Sequence, residues 1–339
     1  MAHVSQRSVA EACNVDQKTV SRVFLDPQTV ATATRELVLA TARRLGYAPV
    51  DASRTLATGT VVVLLDDPSP WRSPLHPHTL HCLSQKLTTA GVALVHASFP
   101  DEAFLDARAL LTLARRFHCD ALICNYHGVV PNGLDDHLTH IGLPAVWLNR
   151  PRECDAVLPD EIVGAHLATT RLLEMGHRRI SYLQYRWAYP PTEIEHFSVV
   201  ERRAGYRLAM REANLEPVVI DLDPQTNSPD ALRAQVHRLI DGPLSATALV
   251  GYSMLPHDLL PWMIAAGVNV PAQMSVVGIG CDPHGDGGLD RSCVESPWGA
   301  IGDVAADFLL TRLQQPTVSM PAIRVPMTWH HGMTCSAVP

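Results

Sequence analysis

Gln17, Lys18, Ser21 and Arg22 are the residues here best suited to reading another molecule. A glutamine amide offers a donor and an acceptor side by side and suits an adenine edge. Arginine and lysine suit guanine O6 and N7. At helical spacing the four share one side of a short run, with Val20 and Val23 on the other. A frame that presents them precedes and includes them. Val9, Ala10 and Cys13 fall on one helical face. Asn14 tolerates the left-handed conformation a tight turn demands. Asp16 can cap the second helix. Ser8 to Val23 therefore reads as a helix-turn-helix whose second helix offers its N-terminal side chains to a DNA groove. An amphipathic helical hairpin with a solvated polar face would share this pattern, so the rest of the chain matters.

A second set of candidate groups lies far downstream. Trp71, Tyr126, Trp187, Tyr189, Tyr252 and Trp298 fall at or just past predicted strand ends, in a chain with only 6% aromatic residues. Aromatic faces stack on the apolar faces of sugars or on aromatic ligands. The strands predicted from apolar runs are Val61–Leu65, Val92–Val95, Ala121–Cys124 and Ala145–Leu148, then Ile180–Leu183, Val218–Asp221, Ala248–Val250 and Ser275–Ile279. Helices are predicted near Thr79–Ala90, Asp101–Phe117, Leu134–His140, Val163–Met175, Val199–Ala213, Asp230–Ile240 and Leu259–Ala266. Repeated strand–helix–strand units imply parallel sheets covered on both faces, and two such sets imply two subdomains. Ligands in such sheets sit beyond the carboxyl ends of the strands, which places the expected site in a cleft between subdomains.

The net charge of −7 looks unsuited to DNA, but it is unevenly spread: residues 1–58 hold seven basic and five acidic residues, leaving −9 for the remainder. That asymmetry fits a small DNA-binding head on an acidic ligand-binding body. A head of only +2 neutralises few phosphates, so two copies are needed for useful affinity. The eight cysteines form no C-x-x-C pair and read as reduced, buried, small apolar residues. His76, His78 and His81 lack a nearby carboxylate, and Pro77 is expected to interrupt any helix there. No metal is expected, and these read as loop or subunit-interface residues. No apolar run reaches membrane-spanning length and no signal segment opens the chain, so the expected location is the cytoplasm, with no membrane partner.

After the helix-turn-helix comes a third predicted helix, Glu36 to Leu45, stopped by Gly46-Tyr47-Ala48-Pro49, and then Arg54-Thr55-Leu56-Ala57 before the first strand. With the Ala10 to Val23 signature, this order resembles the lactose-repressor (LacI/GalR) family of bacterial transcription regulators over essentially the whole chain. The resemblance implies an all-α helix-turn-helix headpiece plus an α/β core of two parallel-sheet subdomains, periplasmic-binding-protein-like. The expected domains are a headpiece at 1–46, a hinge at 47–59, an N-subdomain at 60–160 with 294–324, and a C-subdomain at 161–293 with 325–339. The implied DNA contacts are Ser5, Gln17, Lys18, Thr19, Ser21, Arg22, Thr34, Tyr47, Ser53 and Leu56. In the family the hinge becomes helical on DNA, and Leu56 matches the leucine that wedges into the minor groove. No heptad-patterned helix is read before Pro339, so a tetramerising tail like the lactose repressor's is not expected and a homodimer is.

The implied effector contacts are Trp71, Tyr126, Asn149, Asp160, Arg202, Tyr252, Asp282 and Trp298. Several positions depart from the family pattern. Asp16 stands where Ser is usual, Leu25 where Asn is frequent and Val50 where Asn follows the proline, all suggesting weaker phosphate contact. Glu161 replaces an Asn, Tyr252-Ser253 stand where Asn-Asp is common, and Gly280 replaces an Asp that accepts hydroxyl hydrogen bonds. Arg202 thus lacks its familiar acidic counterpart unless Asp282 shifts in. Two effector classes stay open: a neutral saccharide or glycoside, favoured, and a sugar acid or other organic acid clamped by Arg202. The expected function is an effector-responsive regulator, a repressor of a carbohydrate operon binding a pseudo-palindromic operator, with an activator as the alternative. Effector binding is expected to change the angle between subdomains. An enzyme is disfavoured: Gly278-Ile279-Gly280 starts like a dinucleotide fingerprint, but Pro283 holds the third glycine position, and no Walker lysine or nucleophile elbow is present. No cofactor is expected. A periplasmic binding protein shares the body fold but not the first fifty residues.

Overall fold

The structure is a computed structural model and describes residues 6–25, 27–45, 60–66, 75–98, 119–125, 134, 138, 143–185, 196–222, 234, 236–237, 239, 246–252, 255–284 and 288–338. The chain divides into two compact units: Met1–Val157 with Gly302–Ala322, and Leu158–Ile301 with Ile323–Pro339.

The first unit begins with α1 (Gln6–Cys13), α2 (Gln17–Leu25) and α3 (Thr32–Leu45), which share their own small core. Val9, Val20, Val23 and Val38 are fully buried there, joined by Ala10, Cys13, Phe24 and Ala42. α3 starts four residues before the expected Glu36. Its first turn contributes only Thr32, Ala33 and Thr34, so apolar periodicity does not mark it.

A six-stranded sheet follows, in order β11-β5-β4-β3-β1-β2. Its strands are β1 (Thr60–Asp66), β2 (Val92–Ser98), β3 (Ala121–Asn125), β4 (Ala145–Leu148), β5 (Ala156–Pro159) and β11 (Ile323–Val325), the division between the units falling inside β5 and just before β11. β1 pairs in parallel with both β2 and β3. β3, β4 and β5 are buried throughout, the mark of a parallel sheet covered on both faces. The helix α4 (Pro77–Thr89) corrects one expectation: Pro77 starts the helix instead of interrupting it. Proline's fixed φ suits the first turn, where its missing N–H is not needed. His76 is the N-cap, its Nδ1 accepting from the His78 N–H at 3.3 Å. Among the described residues no group of three or more His, Cys, Asp or Glu is arranged to hold a metal. The helices expected at 101–117 and 230–240 fall mostly outside the described residues, as does that at 134–140.

The second unit repeats the plan. Its sheet runs β12-β10-β9-β8-β6-β7, from β6 (Ile180–Tyr185), β7 (Val218–Leu222), β8 (Ala248–Tyr252), β9 (Ser275–Ile279), β10 (Cys293–Glu295) and β12 (Thr328–His330). All described pairings are parallel except β10 with β12. In each sheet the chain reverses direction of growth after its second strand. In the second this puts the switch point beside the carboxyl ends of β6 and β8, where such folds leave a crevice.

Two helices carry the site. α5 (Glu161–Glu174) and α6 (Phe197–Glu212) pack closely because Gly205 has no side chain; a Cβ there would overlap the Ile162 carbonyl and lie 2.9 Å from the Ala165 Cβ. Tyr206, fully buried, stacks on Tyr182 at 5.2 Å. Its hydroxyl donates to the Ile180 carbonyl at 2.8 Å and accepts from the Val218 N–H at 2.8 Å, pinning α6 to the starts of β6 and β7. The unit also holds α7 (Leu255–Asp258), α8 (Leu260–Ala265) and the start of α9 (Trp298–Gln314).

The expected return to the first subdomain at 294 is corrected. β10 lies in the second sheet, with Cys293 opposite Gly278 of β9, and the division falls inside α9, after Ile301. At three residues β10 is too short to register as an apolar run. Among the described residues, no helix is long and apolar enough to cross a membrane.

Candidate DNA-reading helix and effector site

The turn between α1 and α2 is built as its residues require. Asn14 adopts φ 52°, the left-handed region that asparagine tolerates. The Val15 N–H reaches back to the Ala10 carbonyl at 3.0 Å, closing α1. Asp16 then caps α2: its Oδ1 accepts from the Lys18 N–H at 2.7 Å, and its carbonyl accepts from Thr19 and Val20. Val20, Val23 and Phe24 turn inward. Gln17, Lys18 and Arg22 are exposed, while Thr19 and Ser21 are half-buried beside them. Thr34 is half-buried in the first turn of α3. Ser5, Tyr47, Ser53 and Leu56 lie outside the described residues, as do Leu25's side chain and Val50.

The second unit holds a buried polar cluster centred on Arg202, which is 4% exposed. Its Nε donates to Glu161 Oε2 at 2.5 Å and its Nη2 to Glu161 Oε1 at 2.8 Å, a bidentate pair joining α6 to the first residue of α5. Nη1 donates to the Ile279 carbonyl at the end of β9, at 2.7 Å. Burial works against the arginine's charge, but the adjoining Glu161 outweighs it and holds the guanidinium ionised. The Tyr252 ring lies against the same guanidinium, 4.6 Å from Cζ to the ring centre. A chain of hydrogen bonds continues from the Tyr252 hydroxyl to Ser198 Oγ at 3.2 Å and from Ser198 Oγ to His196 Nδ1 at 2.7 Å, at the N-terminus of α6.

The acidic counterpart of Arg202 is therefore Glu161. The alternative, Asp282, is exposed and accepts from the His284 N–H at 2.8 Å. Gly280 explains the arrangement from the other side. It has φ 79°, and a Cβ there would overlap the guanidinium, lying 2.6 Å from Cζ and closer to Nη2. Glu161 and Gly280 each appear in the sequence as a departure from the family pattern; only the fold shows that both surround one arginine.

Three of the remaining expected effector contacts are among the described residues. Asp160 is the N-cap of α5, its Oδ1 accepting from the Val163 N–H at 3.3 Å. Trp298 is half-buried at the start of α9. Asn149, in the first unit, holds a left-handed φ of 52° after β4. Trp71, Tyr126, Trp187 and Tyr189 lie outside the described residues. Sequence reasoning did not single out Tyr182, Ser198 or the thiols of Cys281 and Cys293. The Tyr182 hydroxyl is buried without a hydrogen-bond partner among the described residues, and burial pushes its pKa up despite the nearby charge of Arg202. The Cys293 thiol donates to the Cys281 carbonyl at 3.7 Å, and the closeness of the two thiols holds Cys281 below the usual thiol range and pushes Cys293 above it, with His257 adding to the first effect.

Comparisons with known proteins match both parts. Residues 7–50 fit the model for bacterial regulatory proteins of the lacI family, and residues 169–335 fit that for a periplasmic binding protein-like domain. The chain is 28% identical over 267 residues to the HTH-type transcriptional regulator RafR of Escherichia coli, covering 75% of this chain and 74% of that protein. The solved structure of a transcriptional regulator CelR–cellobiose complex superposes with TM-score 0.63 at 24% identity, covering 98% of this chain and all of the other. The lac repressor dimer bound to operator and the anti-inducer ONPF superposes with TM-score 0.62 at 18% identity, covering 99% and 100%. With a lacI-family helix-turn-helix presenting Gln17, Lys18 and Arg22 ahead of a two-unit periplasmic-binding-protein-like core, this chain belongs to the LacI/GalR family of DNA-binding transcription regulators.

Proposed function

We propose that this regulator is a repressor of a carbohydrate or glycoside catabolic operon, that it binds a pseudo-palindromic operator as a homodimer, and that a small saccharide controls it. The observation carrying the DNA half is the exposed side of α2, where Gln17, Lys18 and Arg22 stand clear of the headpiece core. One headpiece offers a single short reading helix and little net positive charge. Two copies on related half-sites supply both sequence length and phosphate contact. The likeness to a dimeric repressor on its operator supports this stoichiometry.

The saccharide half rests on the Arg202 cluster, which combines an aromatic face, hydroxyls and guanidinium N–H groups at the strand ends of the second sheet. The likeness to a regulator solved with cellobiose supports the ligand class. Ligand and DNA then communicate by linkage: a sugar that prefers one state of the protein shifts operator affinity by the ratio of its affinities for the two. We assign the DNA contacts to Gln17, Lys18, Thr19, Ser21 and Arg22 with Thr34, and the effector contacts to Arg202 and Tyr252 with Asn149, Asp160 and Trp298.

The test is selection of the bound sequence from a random duplex library, followed by fluorescence anisotropy on the selected site with and without a panel of sugars. A two-fold-symmetric site, bound by two chains and released by a neutral sugar, is the expected result. An asymmetric site bound by one chain would sink the dimer reading. Binding that no sugar alters would sink the effector reading.

A further inference from the structure

The effector cluster, read as above, has a charge balance that restricts what it can take. Both oxygens of Glu161 are committed to Arg202, and Glu161 is 1% exposed. Among the described residues the anion against the guanidinium is thus Glu161, the first residue of α5, which engages it with both oxygens. At the end of β9 position 280 offers no side chain, and the guanidinium fills the space one would need. The two positions depend on each other. A carboxylate at 280 would displace the arginine and crowd a second anion onto it. An uncharged residue at 161 would leave a buried cation bare.

Of the five guanidinium N–H donors, three are engaged among the described residues, by Glu161 twice and by Ile279 once. Two N–H donors remain in a nearly buried group. The Tyr182 hydroxyl, fully buried, also lacks a partner among the described residues and is close enough for its ionisation to feel both Arg202 and Glu161. Groups of this kind are costly to leave unmet in the interior. They can be answered by oxygens that bring no charge: a ring or glycosidic oxygen, a carbonyl, or a hydroxyl acting as acceptor. A ligand carboxylate would give up its water to meet an arginine already neutralised.

We propose that Glu161, acting through Arg202 and together with Gly280, is a positioning residue that sets the charge class of the effector, making the site one for a neutral oxygen-acceptor ligand and excluding sugar acids. This rests on the second unit being the effector domain, and the experiment separates the two ideas.

Thermal unfolding of the full chain is followed in sodium formate and in sodium chloride at equal ionic strength, for the wild type and Glu161→Ala. The wild-type midpoint should respond equally to the two salts. The variant should unfold at lower temperature, and formate, which can enter the vacated carboxylate position, should raise its midpoint by several degrees more than chloride. Equal response of the variant to both salts overturns the proposal. Should Glu161→Ala fail to fold, Glu161→Gln keeps the side-chain volume and is read against ligands. Wild type and Glu161→Gln are compared with cellobiose, cellobionate, glucose, gluconate and glucuronate. A neutral sugar should stabilise the wild type while acids do not, and Glu161→Gln should gain a response to an acid. A wild-type protein stabilised by the acids in preference overturns the proposal. If no compound shifts the wild type, it is the effector reading that falls, and the formate series still decides the role of Glu161.

Discussion

Two arginines of this chain sit in opposite surroundings, one exposed and one buried. Arg22 stands exposed on α2, whose Val20 and Val23 are turned into the headpiece core. Arg202 is buried on α6, with Glu161 across α5, Ile279 behind it and Tyr252 against its face. The first is available to a partner that arrives complete, with its own charges and edges. The second belongs to a site whose own groups must be satisfied before anything binds. On the proposed reading, Arg22 is dispensable for folding and needed for selectivity, whereas Arg202 is needed for both.

The same substitution at both positions is the strongest way to break this contrast. Arg202→Met leaves Glu161 buried and uncompensated and should cost about 3–5 kcal/mol of stability. The double variant Glu161→Leu/Arg202→Met should recover much of that, since two apolar residues leave no bare charge. Arg22→Met should stay within about 0.5 kcal/mol of wild type, as for other surface changes. Urea unfolding monitored by tryptophan fluorescence for the core, and by circular dichroism for the whole chain, measures all three. Similar losses at 22 and 202 would erase the distinction.

DNA binding should reverse the order. Arg22→Ala removes a side chain suited to guanine O6 and N7, and should cost about 1–3 kcal/mol of operator affinity while relaxing selectivity at one base pair of each half-site. Anisotropy titrations on the selected operator and on single-base variants provide the comparison. An equal loss on every sequence would mean that Arg22 contacts phosphate and that Gln17 or Lys18 does the reading.

A smaller effect tests how the headpiece presents these side chains. Asp16→Ala removes the acceptor for the Lys18 N–H, a bond of 2.7 Å. Loss of such a cap costs about 0.5–2 kcal/mol. Hydrogen exchange of the α2 amides should accelerate accordingly, with β8 and β9 amides unchanged. Acceleration in both units would show that the headpiece and core do not unfold separately.

The two regions also differed in how far the sequence disclosed them. The headpiece was legible because its contacts are local: Val9, Asn14, Asp16 and Val20 lie within twelve residues of one another, and helical spacing alone sorts inside from outside. The alternation of strands and helices was equally open, because fully buried parallel strands such as Ala145–Leu148 read as apolar runs. β10, β11 and β12 were not, since strands of three residues carry no period. The Arg202 cluster joins residues 161, 202, 252, 279 and 280, which lie on four different elements and the loop after one of them. Glu161 and Gly280 could be seen to be unusual, but that one compensates the other depends on Gly205 bringing α5 and α6 together, which no local spacing encodes.

The smallest expected effect belongs to His177, a second buried polar group in the same unit, and it shows what burial does to an ionisable side chain with no opposite charge. His177 Nδ1 lies 3.0 Å from Thr247 Oγ1, and Nε2 lies 3.0 Å from the Ser336 carbonyl and 3.1 Å from Ser275 Oγ. These contacts tie the end of the chain to the start of β9. Burial lowers its pKa, and the hydrogen bond to Ser336 only partly opposes this. The folded protein therefore resists a proton that the unfolded chain accepts near pH 6.5. The stability this histidine contributes is complete above that pH and is lost as pH falls through its depressed folded value. Glutamine cannot take up the proton, so the stability advantage of wild type over His177→Gln should be greatest at pH 7.5. It should narrow towards pH 5 by about 1.4 kcal/mol for each unit by which the pKa is depressed. Urea midpoints at half-unit intervals of pH measure this. A gap that stays constant with pH would mean that His177 is protonated as readily in the folded chain as in the unfolded one. Burial without an ion pair would then leave titration unaltered, and the distinction between His177 and the carboxylate-matched Arg202 would fail.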